Sequence, residues 1–158
     1  MVLPEGRRTS VILALQHYRE AVVEVAAVEE ELASLRSPAH ARWSQVGAAR
    51  GRPGNPTQVR ALRALEIRSR HGRAAFLAHA LDLWVWAPDR HPDDRLLLAL
   101  VHGMHRPERL PLLDAARAVG IPCGTAEERG SLERHYCYLL AQVAQHLDVL
   151  ARTWRWAA

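Results

Sequence analysis

The chain has 158 residues, 49% of them hydrophobic, and a formal net charge of +4. That is enough chain for one domain with its own core, or a small domain with a helical extension, and the composition excludes a disordered polymer. No apolar run approaches the length of a membrane span, and Val11 to Leu15 behind Arg7 and Arg8 is too short for a signal peptide, so a soluble, cytoplasmic protein is expected.

All 21 basic residues are Arg. Seven of them lie between Arg50 and Arg73 with one acid, Glu66, whereas nine Arg face nine acids from Asp89 to the end. A basic patch in mid-chain suits an anionic partner such as nucleic acid; it equally suits a solvated helix face. Two cysteines, Cys123 and Cys137, form no disulfide framework and point to a reducing compartment.

In chain order, residues 1–9 read as a lead, and Ser10 as the cap of a helix running to about Leu35. Its apolar stripe is Leu15, Tyr18, Val22, Val25, Val28, Leu32 and Leu35, in steps of three and four. Ser37-Pro38 ends that helix. A loop follows over residues 37–55, broken by Gly47, Gly51, Pro53 and Gly54 and carrying Trp43. Asn55-Pro56 starts a second helix, with Asn as cap and Pro in the first position, reaching about Val85. Leu62, Leu65, Ala74, Leu77, Leu81 and Trp84 are its expected apolar positions. Arg60, Arg63, Arg70 and Arg73 recur at helical spacing as a basic stripe.

The remainder reads as three helices with two breaks. Asp93 to Val101 is the first; Gly103 and Pro107 interrupt it. Pro111 to Gly120 is the second. After Ile121-Pro122-Cys123-Gly124, Thr125 opens a long helix to about residue 156 with the stripe Leu132, Tyr136, Leu139, Val143, Leu147, Leu150 and Trp154. A short helix, a turn with Gly and a second helix with a polar first turn form the pattern of a helix-turn-helix, whose second helix offers its N-terminal residues to the DNA major groove. The final helix is longer than such a unit can cover, so its second half must pack on the N-terminal helices or on another subunit.

The expected fold is therefore all-α, with about five helices: an antiparallel long-helix pair over residues 1–88, then a helix-turn-helix with a long final helix over residues 89–158. The order of parts resembles that of phage transcriptional regulators of the RinA/ArpU kind. Gly54-Asn55-Pro56-Thr57 is similar to that family's Gly-Asp-Pro-Thr motif, with Asn for the acid, and Ala61, Leu62 and Glu66-Ile67 lie where its second helix continues. Leu112 to Gly120 resembles its Leu-Glu-Ala-Ala element, and Thr125-Ala126 its Ser/Thr-Ala-Tyr-Arg start. Glu127 and Glu128 stand where the family commonly has an aromatic and a basic residue. The resemblance implies a phage or prophage DNA-binding regulator with a helix-turn-helix similar to sigma-factor region four.

The residues expected at DNA are Cys123, Gly124, Thr125, Glu127, Glu128, Arg129 and Arg134, with Arg60, Arg63 and Arg70 on phosphates. Glu can accept from cytosine N4, and Arg can grip guanine or phosphate. Against this stands an ordinary capped helix with solvated charges. His102, His105, Cys123, His135 and Cys137 lack metal-ligand spacing. Asp93-Asp94 and Glu127-Glu128 sit in first turns, where acids complement the helix dipole, and no catalytic motif is present. The Trp84/Trp86 and Trp154/Trp156 pairs suit core or interface packing better than base stacking. The expectation is a non-enzymatic regulator without metal or cofactor, binding double-stranded DNA as a homodimer. Two rivals remain: a degenerate helix-turn-helix that contacts RNA polymerase or another phage protein, and a small terminase-like DNA-packaging subunit.

Overall fold

A computed structural model of the chain describes residues 3–36 and 56–154. These form five α-helices and no strand: α1 (Glu5–Leu35), α2 (Pro56–Val85), α3 (Pro92–His102), α4 (Leu112–Val119) and α5 (Ala126–Thr153). The all-α expectation is met. The expected loop over residues 37–55, Trp43, the Asn55 cap and Trp156 lie outside the described residues.

α1 starts earlier than Ser10. Its N-cap is Pro4, with no side-chain cap, and Glu5 supplies an acid to the first turn. Ser10 is already inside the helix, its hydroxyl donating to the Gly6 carbonyl at 2.9 Å. A serine can bond backwards within a helix as well as cap it, which is why the sequence misplaced this boundary. α2 lies antiparallel to α1. Three cross-pairs fix the direction: Tyr18 donates to Asp82, His71 meets Glu24 at 2.6 Å, and Arg63 meets Glu31 at 3.8 Å. Burial, reinforced by the bond to Asp82, raises the Tyr18 phenol above its ordinary pKa.

Short helices α3 and α4 have strong end signals. Pro92 opens α3, and the His91 ring accepts from the Asp93 N–H. Gly103 ends it at φ 65°, where a Cβ would come 2.9 Å from the Arg106 carbonyl oxygen, so glycine is required there. α4 ends on Gly120 at φ 89°, with the Ile121 N–H reaching back to the Ala116 carbonyl in a Schellman closure.

α5 crosses both halves of the chain. Near its start, His135 meets Asp94 of α3 at 2.6 Å, and the Tyr136 hydroxyl lies 3.0 Å from His102 Nε2. Further on, Arg90 donates to Gln142 and His146 donates to the Ala80 carbonyl, both at 2.7 Å. Asp148 pairs with Arg7 of α1. At the end, Trp154 packs edge-on against Phe76, with ring centroids 5.5 Å apart. Thus α5 runs antiparallel to α2, and its second half is covered within the chain by α1 and α2. The length of the stripe therefore no longer calls for a second subunit.

One main core draws on all five helices, with Leu15, Trp84, Leu97, Ala116, Leu139 and Val143 among its members. It spans the expected boundary at residue 88. A small separate cluster of Val28, Leu35 and Ile67, flanked by Leu32 and Ala64, closes the far end of the α1–α2 pair. Two stretches of the expected stripes turn outward. On α1, Ala21 is buried where Val22 was expected. On α2, Leu62 and Leu65 are 60% and 54% exposed. The cause is the reach of α5, which ends beside Phe76, so that among the described residues the first half of α2 has α1 as its helical neighbour. Trp84 is fully buried beneath the Arg90 guanidinium, 5.2 Å from the ring, whereas Trp86 is exposed.

Leu139 is 1% exposed at the centre of this core. Leu139→Ala is expected to cost about 2–5 kcal/mol of stability, read by chemical denaturation. His102 is buried against Tyr136, its Nδ1 unpartnered, and burial, with Arg109 nearby, lowers its pKa to about 4. The fold thus holds the neutral ring, so its contribution is complete above the unfolded value of about 6.5 and declines as pH falls from there towards 4. His102→Gln keeps a partner for Tyr136 and does not titrate. Denaturation at pH 5 and pH 7 is expected to show a smaller acid loss in this variant than in the wild type.

Candidate functional site

Most of the residues expected at DNA lie on the turn between α4 and α5 and in the first turns of α5. Gly120 turns the chain out of α4, and residues 120–125 lead into α5. Thr125 is the N-cap. Its hydroxyl accepts from the Glu128 N–H at 3.1 Å, and the Glu128 carboxylate accepts from the Thr125 and Gly124 N–H groups at 2.9 and 2.8 Å. This is a reciprocal capping box. The Thr125 N–H bond, with those from Gly124 and the Thr125 side chain, holds the Glu128 carboxyl below its usual pKa.

That arrangement corrects two of the expected DNA contacts. Glu128 is occupied with backbone amides and does not point a free acceptor at a base edge. The sequence contained the signal, since Thr-x-x-Glu before an apolar run is the capping-box pattern. Cys123 is only 6% exposed, its Sγ 3.8 Å from the Leu113 carbonyl oxygen, so it anchors the turn to the core instead of facing a ligand. Gly124, Thr125, Glu127, Arg129 and Arg134 are all exposed. Glu127 and Arg134, seven apart, lie on the side of α5 away from the buried Leu132 and Tyr136, whereas Arg129 continues the stripe of Leu132 and Tyr136 one turn beyond the core. The start of α5 is therefore polar and exposed, ahead of an anchored apolar stripe.

The basic stripe on α2 is elsewhere. Arg63 is paired with Glu31, and Arg70 meets Glu66 at 2.9 Å. Arg60 is half-buried, its Nε without a partner. At 1.5 Å per residue, Arg129 lies on the order of 25 Å from His146 along α5, and Arg63 about as far from Ala80 along α2. Because His146 and Ala80 touch and the helices are antiparallel, these two lengths add. Arg129 and Arg63 thus lie on the order of 50 Å apart, at opposite ends of the molecule. Linear spacing in the sequence gave no sign of this separation. Arg106 and Arg109, both exposed in the connection between α3 and α4, were overlooked because acids balance the charge of that region.

The paired acids of α3 are structural: Asp94 meets His135 and Asp93 lies 3.5 Å from His91. No group of three or more metal-ligating side chains occurs among the described residues, and no helix there is long and apolar enough to cross a membrane. A concavity of about 730 Å³ lies along the α1–α2 seam beside the last turns of α5.

Comparisons with protein-family models, curated proteins and solved structures return no match. The likeness to the phage regulators rests on the sequence motifs alone.

The cap itself is open to measurement. Thr125→Ala removes one side of the box and is expected to cost about 0.5–2 kcal/mol in chemical denaturation. Amides in the first turn of α5 should exchange with solvent faster than in the wild type.

Proposed function

We propose that the chain is a non-enzymatic DNA-binding regulator of phage or prophage type, with the start of α5 as its reading element. The observation that carries this reading is the exposed start of α5 behind the capping box. Arg129 and Arg134 are both exposed in the first turns, on different sides of the helix, with no acid paired to either among the described residues. An Arg in this place can reach guanine O6 and N7 while the helix N-terminus lies across the groove. Glu127, unlike Glu128, remains available to accept from a cytosine amine. Two copies would supply the paired half-sites that such regulators read. Arg60, Arg63 and Arg70 are too far away to share a short site with Arg129.

A second reading is an interaction module that docks on RNA polymerase or another protein. Its support is the charge at the start of α5, where Glu127 faces outward and repels phosphate, and the separation of that start from the basic patch.

Titration of labelled duplexes of about 10 base pairs at several salt concentrations tests the first reading. Arg129→Ala is expected to cost about 1–3 kcal/mol on the preferred site and much less on random duplex, because base edges differ where phosphates do not. Removing Arg60 and Arg63 together should leave affinity for the short duplex nearly unchanged. Wild-type protein that shows no salt-dependent binding to any duplex would give the interaction-module reading its place.

A further inference from the structure

The groove along the α1–α2 seam has two rims of opposite charge. Glu20 and Glu24 line the α1 side and Arg70 and Arg73 the α2 side, while Arg7 and His17, also on α1, are paired with Asp148 and Glu20. Between them, small residues, Ala14, Ala21 and Ala74, leave the floor shallow and apolar, with Leu77 beside them. Leu147 and Ala151 of α5 close one end. Beyond the other end the same polarity continues, with Glu31 on α1 and Arg63 on α2. Arg73 has no ion pair among the described residues; Glu24 meets His71 across the seam, and the pairs made by Glu20 with His17 and by Arg70 with Glu66 are exposed at the surface.

We propose that this face binds a second copy of the chain, the acidic rim of each copy lying on the basic rim of the other. The face is self-complementary in only one two-fold arrangement. An axis running along the helices puts α1 over the partner's α2 and α2 over the partner's α1, so that acid meets base twice. An axis running from α1 to α2 puts like charges together. An isologous contact of the first kind closes after two copies, without a free rim to recruit a third. The alanine floor lets helices of the two copies approach closely, since interaxial distance follows side-chain size at the contact. The rims fix orientation more than they add affinity.

This deepens the DNA reading, resting on it only for the need of a second copy. An axis along the hairpin places both α5 starts at the same end of the dimer, where two half-sites would be met. It also gives Arg70 and its neighbours a role that their distance from Arg129 denies them at DNA.

The test uses no DNA, so its failure is separable from failure of the DNA reading. Four samples at about 100 μM and low salt are weighed by light scattering: wild type, Glu20→Arg with Glu24→Arg, Arg70→Glu with Arg73→Glu, and an equimolar mixture of the two variants. All the altered side chains are exposed, and circular dichroism checks that helix content is kept. The wild type should be a dimer. Each variant, carrying like charges on both rims, should be a monomer. The mixture should form heterodimers with a dissociation constant at least about tenfold below that of either variant alone. A monomeric wild type overturns the proposal and leaves the groove to another partner. A dimer that survives both charge reversals, or a mixture that stays monomeric, overturns it by placing any contact elsewhere.

Discussion

Burial of one stripe along α5 is the constraint on which the rest depends. Leu132, Tyr136, Leu139 and Val143 are each buried, and they touch a core to which every other helix contributes. Helices α3 and α4 are only 11 and 8 residues long. Helices of that length are marginal alone and gain their stability from packing. The capping box at Thr125 sets where α5 begins, and hence which residues fall on the stripe. A change of one residue there would rotate the pattern by about 100° and turn Leu139 away from Trp84. The same anchoring holds the first turns, with the exposed Arg129 and Arg134, clear of the core.

Much of this was legible from local chemistry. Pro92, Gly103, Gly120 and Thr125 each punctuate a helix for a reason that resides in the residue itself: a fixed φ, a missing Cβ, a hydroxyl within reach of an amide. The heptad-like steps from Leu132 to Leu147 placed α5 correctly for the same reason. What was not legible depends on neighbours. Leu62 and Leu65 have the spacing of buried residues, yet no other described helix covers them, because α5 ends at Trp154 beside Phe76. Spacing reports which side of a helix a residue is on; it does not report whether something lies there.

The candidate site divides in the same way. Its position at the start of α5 followed from the turn and the cap. The roles of single residues did not, since Cys123 and Glu128 are both polar residues next to the proposed reading head and both are used internally. Arg60, Arg63 and Arg70 lie far from Arg129 for a geometric reason. Two helices that cross near their ends turn a short stretch of sequence into the full length of the molecule. Charge added up along a chain says little about charge that a ligand can meet at once.

The small cluster of Val28, Leu35 and Ile67 has a consequence for α2 as a mechanical object. One end of this helix is held by a core that all five helices share, whereas its other end is held by three buried residues and two half-buried ones. Opening free energies follow the apolar contacts that must be broken, so they fall along a single unbroken helix. Among the described residues, the first turns of α2 and the last of α1 would be expected to open more readily than the end that holds Trp84 and Leu81. A ligand seated on that end would raise its protection from solvent without altering the global stability of the core by the same amount, and the two ends of α2 would report on different equilibria.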